Sequence, residues 1–344
     1  MHGLAYRCIM GRMSNQGISP EEIVKAAGRH GLTVSDAQLH RWQRQGLIPR
    51  PKIQGLGRGR GTASYYPADT AQHIIALCEL LAEDRRLDLA ALALFFQGYP
   101  VRVERLKSIL MVAADQWETE VGNLVNGTGI TSKGADALDK MVFERLKPSP
   151  VTWARGHLRK SKFETFIRIL IFVGAGRKPD FLEETEESAI LKKGLGIGTA
   201  LRTWLRVDDD ELRSFIGSVA THFNQAALHM TIQETGDDEL NRSKTELLIV
   251  WQTLMDLKAC FLLLDEKYAL GLGRLPDINF TRSSTLVPMM LLIWMHLRTM
   301  PEIAENIPHM IASATEVSSL RNLLASHPKL LKPMKAALGL LATS

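Results

Sequence analysis

The stretch from Ser35 to Pro67 reads SDAQLHRWQRQGLIPRPKIQGLGRGRGTASYYP, and its first half is patterned as a short helix. Ser35 stands where an N-cap should, and Gln38, three residues on, completes a capping box. Val34 and Leu39 can close over that start as a hydrophobic staple. Gly46 ends the helix, because a left-handed C′ position costs glycine no steric strain. Residues three and four apart share a helix face, so Leu39 and Trp42 fall on one side and His40, Arg41 and Arg44 on the other. Arg50, Lys52, Arg58 and Arg60 follow, and no Asp or Glu occurs from Gln38 to Tyr66. An arginine-faced helix followed by an arginine-glycine loop has the charge and shape that a DNA major groove and its flanking phosphates ask for.

Upstream, Ser19 caps a second helix, Pro20 suits its first position and Glu22 completes another capping box. Ile18 and Ile23 supply its staple, and it should run to about His30 and stop at Gly31. Leu32 to Val34 then forms the turn. Two capped helices joined by so short a turn read as a helix-turn-helix. Downstream, Pro49 and Pro51 end the helical pattern. Gly55, Gly57, Gly59 and Gly61 alternate with Leu56, Arg58, Arg60 and Thr62. The glycines permit tight turns and the arginines can reach phosphate or a narrow minor groove. Alone, such a run suits a flexible linker equally well. Between a capped helix and an apolar one it reads as a wing, with Ala63 to Tyr66 as the returning strand.

Leu39-His40-Arg41-Trp42-Gln43-Arg44-Gln45-Gly46-Leu47-Ile48-Pro49, then the wing, then Ser64-Tyr65-Tyr66-Pro67 and a helix, is similar to the winged helix-turn-helix head of MerR-type transcription regulators. The resemblance covers roughly Ile18 to Val101. It departs at His40, where the family commonly has arginine, at Arg41, where it often has an aromatic, and at Ser64, where it usually has arginine. It implies a dimer on a pseudo-palindromic site, often with distorted DNA, two helices backing the head and a further helix that pairs subunits. The short C-terminal effector segments of the family do not resemble this chain, so metal or drug sensing is not carried over.

A chain of 344 residues suits two domains, or three. Its hydrophobic fraction of 45% and charged fraction of 23% are those of an ordinary folded protein. The net charge of +5 is uneven: between Arg29 and Thr62 stand Arg29, Arg41, Arg44, Arg50, Lys52, Arg58 and Arg60 against Asp36 alone. That excess is at least the whole chain's, so the remainder is close to neutral. Cys8, Cys78 and Cys260 are odd in number and far apart, which is neither a disulfide framework nor a zinc spacing and suits a reducing cytosol. Met1 to Arg12 holds too little apolar sequence for a signal peptide, and these first dozen residues are expected to be a disordered extension or a mis-called start, with residues 1–17 standing before the head as a disordered segment or an extension. Leu286 to Leu297 contains Pro288 and His296 and is too short to span a bilayer. It reads as a buried core helix.

Beyond the wing the pattern stays helical. Ala68 to about Arg85 carries Ile74, Leu77, Cys78 and Leu81 on one stripe. Asp88 caps the next helix, with Leu89, Leu92, Ala93 and Phe96 inward and Gly98 at its end. From Val101 to about Asn126, Val103, Leu106, Leu110, Ala113 and Trp117 form a short heptad seam, which suits a dimerisation helix and an intrachain core helix equally. Gly127 to Gly134 reads as a loop. Further segments follow at Ala135 to Leu146, Phe163 to Val173 and Asp180 to Ile190, and from Asp208 with Leu212, Phe215, Val219 and Phe223. A long helix starts at Ser243 or Thr245 and reaches Leu264, with Leu248, Trp251, Leu254, Leu257 and Phe261 inward. Thr285 to Met300, Ile307 to Leu324 and Pro328 to Leu341 complete the set.

Several local features have plainer readings beside their sharper ones. Gly194 to Ala200 invites a nucleotide-loop reading, but Lys192 and Lys193 precede it in place of an apolar strand, so a helix connection accounts for it better. Glu183, Glu184, Glu186 and Glu187, and Asp208, Asp209 and Asp210, sit at helix starts, where acids favour the dipole. His222, His229, His296, His309 and His327 are scattered, and no metal site is expected. Trp204, Trp251 and Trp294 with Met255, Met289, Met290 and Met295 read as core before they read as an effector cavity.

The expected fold class is mainly α: an N-terminal winged helix-turn-helix with a small β wing over residues 18–100, a connecting or dimerising helix over 101–126 and an all-helical domain over 127–344. The expected function is a sequence-specific, non-enzymatic regulator of transcription in the cytoplasm, at the nucleoid. Its DNA-contacting residues are expected to be His40, Arg41, Arg44, Arg50, Lys52, Arg58, Arg60, Thr62, Ser64 and Tyr65. Its partners are double-stranded DNA, a second copy of the chain, and a small-molecule effector or protein on the helical domain; no cofactor and no membrane are expected. The rivals are an architectural or recombination-accessory factor of the excisionase kind, an enzyme in the helical domain targeted by the head, and an interaction scaffold.

Overall fold

The computed structural model describes residues 17–58, 60–127, 224–264 and 278–330 apart from Ser283 and Thr285, with isolated helical positions between residues 162 and 217. These residues are mainly α-helical with one two-stranded antiparallel sheet. They fall into two compact units, Met1–Ile109 with Asn279–Val287, and Leu110–Ile278 with Pro288–Ser344.

In the first unit, helix α1 (Pro20–Arg29) starts on a complete capping box. The Ser19 amide donates to the Glu22 carboxylate at 2.8 Å, and the Glu22 amide donates to the Ser19 hydroxyl at 3.2 Å. The Ser19 amide, then its hydroxyl, hold the Glu22 carboxyl below the usual range. Helix α2 (Asp36–Arg44) repeats the device with Ser35 and Gln38, at 2.8 and 3.3 Å. Both helices end on a left-handed glycine, Gly31 at φ 74° and Gly46 at φ 76°. The amides beyond them fold back onto the preceding turn, Leu32 to the Ala27 carbonyl at 3.1 Å and Leu47 to that of Trp42 at 2.9 Å. Ile23, Ala27, Leu39 and Trp42 face the core.

Strands β1 (Lys52–Gly55) and β2 (Thr62–Tyr65) pair Lys52 with Tyr65, Ile53 with Ser64, Gln54 with Ala63 and Gly55 with Thr62. The returning strand therefore begins one residue earlier than expected, because Thr62 has a partner. Tyr66 leaves the ladder and exchanges two 2.8 Å main-chain hydrogen bonds with Ile18, tying the hairpin to the start of α1. The turn closes through the Leu56 amide on the Gly61 carbonyl at 3.0 Å. Gly57 and Gly61, at φ 100° and 78°, supply conformations that residues with a Cβ rarely adopt.

Helix α3 (Thr70–Glu83) packs between α1 and α4 (Leu87–Gln97). Its expected stripe needs correction. Cys78 and Leu81 are half-buried, whereas Thr70, His73, Ile75 and Leu80 are buried beside Ile74 and Leu77. Neighbours on two sides widen the buried face beyond one stripe. In α4 every residue from Leu89 to Phe96 is buried, because the segment from Asn279 closes over it. The rings of Phe96 and Phe280 lie 5.0 Å apart, and Gln97 Nε2 donates to the Thr281 carbonyl at 2.7 Å.

His73 is 1% exposed and stacks on Tyr99 at 4.8 Å. Burial pushes its pKa down to about 4, against weaker opposing pulls from Asp69 and the Leu47 main chain. The unfolded chain therefore binds this proton first, near the ordinary value of 6.5. Stability is fully present above pH 6.5 and is lost as the pH falls through 4, by on the order of 3 kcal/mol at about 1.4 kcal/mol per pKa unit. Urea unfolding of the wild type between pH 7 and pH 4 should show this loss, and His73→Phe should remove that part of it. An identical pH dependence in the two chains would contradict the assignment.

Helix α5 (Val103–Gly127) buries Leu106 and Ile109 in the first unit and Leu110, Ala113 and Ala114 in the second. Val103 and Trp117 of the expected seam are half-buried. The second unit continues with α6 (Gln225–Glu234), which had no clear sequence signal, and α7 (Asp237–Leu264). It is completed among the described residues by α8 (Val287–Leu297, whose first residue belongs to the first unit), α9 (Pro301–Ala304), α10 (Ile307–Ser326) and a 3₁₀ turn at Pro328–Leu330. Helix α7 starts six residues before Ser243, its acids Asp237, Asp238 and Glu239 filling the first turn. Its expected inward residues Leu248, Trp251, Leu254 and Leu257 are half-buried; the buried ones include Leu240, Ser243, Glu246, Leu247, Asp256 and Cys260.

The inward face of α7 is partly polar because cations come to meet it. Arg298 Nε lies 2.8 Å from Glu246 Oε2, and Trp294 Nε1 donates to the same oxygen at 3.3 Å. Arg321 and Ser318 of α10 both donate to Asp256, and Gln252 Nε2 joins them at 2.9 Å. Thr231 Oγ1 and His296 Nδ1, 2.9 Å apart, tie α6 to α8. Leu291, Leu292, Trp294 and Met295 are buried, so the apolar run of α8 is a core helix, and no described helix is long and apolar enough to cross a membrane. Residues 1–16 of the expected extension, the segment at Ala135, the glycine run at Gly194, the glutamate cluster and Trp204 lie outside the described residues.

Candidate nucleic-acid interface

Helix α2 is amphipathic with a sharp division. Leu39 and Trp42 are 1% and 3% exposed, while His40, Arg41 and Arg44 are exposed on the opposite side. Trp42 is thus core. Arg102, at the approach to α5, fixes the end of α2: its amide donates to the Gly46 carbonyl at 3.1 Å, and its guanidinium donates to the Gln43 carbonyl. A cation at a helix C-terminus also complements the macrodipole. Gly46 is pressed against this arginine, so a Cβ there would lie 3.1 Å from Arg102 Cβ. Both anchors hold the arginine face at a set angle without using any of its side chains.

The hairpin presents Lys52, Arg58, Arg60 and Thr62 to solvent, and Arg50 is exposed between α2 and β1. Ser64 and Tyr65 are half-buried on β2. Gly17 sits so close that a Cβ on it would lie 2.8 Å from Tyr65 Cβ. Among the described residues none of Arg41, Arg44, Arg50, Lys52, Arg58 or Arg60 joins an ion pair. Unquenched guanidinium groups on a helix and a hairpin can donate in pairs to guanine edges or phosphate oxygens.

Three residues that periodicity did not single out belong to this picture. Arg102 acts through a long-range contact and leaves no local signal. Ile53 and Leu56 are 72% and 46% exposed within the basic stretch; a strand pattern lacking any inward partner for Ile53 would have flagged it. Elsewhere, burial comes first in raising both described thiols, Cys78 and Cys260, above the ordinary value. That disfavours the thiolate a nucleophile needs. No family model matches the chain, and it matches no curated protein and no solved structure.

Proposed function

We propose that the chain is a sequence-specific DNA-binding regulator of transcription. In this reading α1 and α2 form a helix-turn-helix, α2 enters the major groove with His40, Arg41 and Arg44 toward the bases, and the hairpin serves as a wing on the neighbouring backbone or minor groove. Its main support is the exposed arginine face of α2, which joins no ion pair among the described residues, whose other face is core and whose C-terminus is clamped by Arg102. Further support comes from the acid-free sequence of the hairpin and from the MerR-type resemblance, which also implies a dimer on a two-fold site. The second unit then serves dimerisation, an effector or a protein partner.

The wing has a separable signature. Phosphate binding acts through counterion release, so replacing Arg58 and Arg60 by alanine should flatten the dependence of log affinity on log salt by about one unit for each phosphate no longer neutralised. Anisotropy titrations of a labelled duplex pool over a range of salt concentrations measure this. An unchanged slope would remove these arginines from the interface.

A further inference from the structure

Ile53 is the most exposed large apolar side chain among the described residues. Successive strand residues face opposite sides of a sheet, so Ile53 shares its side with Gly55 and with Thr62 and Ser64 across the ladder. All three are small. Ile53 therefore stands up alone from a low surface and belongs to no broader apolar patch on the hairpin. Leu56, half-exposed where β1 enters the turn, is the other apolar side chain of this hairpin arm. Arg58 and Arg60 lie in the turn beyond them, Lys52 faces the opposite side of the sheet, and the stretch holds no carboxylate.

An apolar projection on an acid-free hairpin whose turn carries two arginines is complementary to a polyanion with an apolar interior, and a stacked duplex is such a ligand. The minor groove, about 6 Å wide, admits a side chain more readily than a two-stranded ribbon. Apolar wedges that enter there unstack one base step and kink the duplex. Resting on the DNA-binding reading above, we infer that Ile53 is such a wedge, inserted at a minor-groove base step while Arg58 and Arg60 hold phosphates beside it. Flexible pyrimidine–purine steps are the favoured sites, because they cost least to unstack.

The probe is a duplex that the full-length wild type selects from a random-sequence library, end-labelled for energy transfer. The wild type should bend it by roughly 20–90°. Ile53→Ser should bind about tenfold more weakly and lose the bend while keeping the salt slope, since the phosphate partners are unchanged. Ile53→Leu should retain both affinity and bend. Undiminished bending and affinity in Ile53→Ser would overturn the wedge while leaving the DNA-binding reading intact. A wild type that selects no duplex would sink that reading and the wedge with it. Binding to phosphatidylserine vesicles that Ile53→Ser abolishes, with duplex affinity unchanged, would assign Ile53 to an anionic lipid surface instead and also overturn the wedge.

Discussion

Replacing Arg41 and Arg44 together by alanine is expected to weaken binding to a selected duplex by about 2–6 kcal/mol, since each base-contacting arginine supplies roughly 1–3 kcal/mol. Both side chains are exposed and neither joins an ion pair among the described residues. Their removal should leave the fold unchanged, and circular dichroism and the melting temperature should match the wild type. The weakening should also depend on sequence: large on the selected duplex and small on an unrelated one, because phosphate binding does not discriminate between bases. An equal effect on both duplexes would move the two arginines from base edges to the backbone.

Arg298→Ala is expected to cost about 3 kcal/mol of folding stability. Its guanidinium joins Glu246, and the two side chains are only 11% and 8% exposed. It also donates to Glu239 and, at 3.1 Å, to Ser243 Oγ. Breaking a buried pair strands the remaining charge, which typically costs roughly 3–5 kcal/mol. The low end applies because Arg242, with Nε 3.1 Å from Glu246 Oε1, and Trp294 remain as partners. Removing the carboxylate as well, in Arg298→Met with Glu246→Leu, should recover most of the stability, since the charge is no longer left alone. Urea unfolding followed by helical circular dichroism reads both effects. A midpoint unmoved by Arg298→Ala would mean that the carboxylate is satisfied without it.

The contrast between the two units shows where sequence reading succeeds. Ser19 with Glu22, Ser35 with Gln38, and the glycines at 31 and 46 act over three to six residues, so the bounds of α1 and α2 were legible. The exposure of His40, Arg41 and Arg44 follows from the same periodicity. What escaped depends on distant chain. Arg102 reaches back to Gln43, Tyr66 pairs with Ile18, and Phe280 returns to cover Phe96. None of these leaves a mark near its own position. In α7 the pattern misled for a different reason. Its hydrophobic residues pointed to Leu248 and Trp251, but Glu246 and Asp256 turn inward because Arg298 and Arg321 meet them. A hydropathy pattern cannot anticipate an acid whose partner lies more than fifty residues away.

Selection of duplexes from a random-sequence pool by the full-length chain, repeated with the Arg41→Ala and Arg44→Ala double variant and read by sequencing, tests the central claim most directly. The wild type should enrich one shared site, and the double variant should enrich none. Recovery of the same site by both proteins, or of no site by the wild type, would contradict the assignment of α2 as the element that reads DNA.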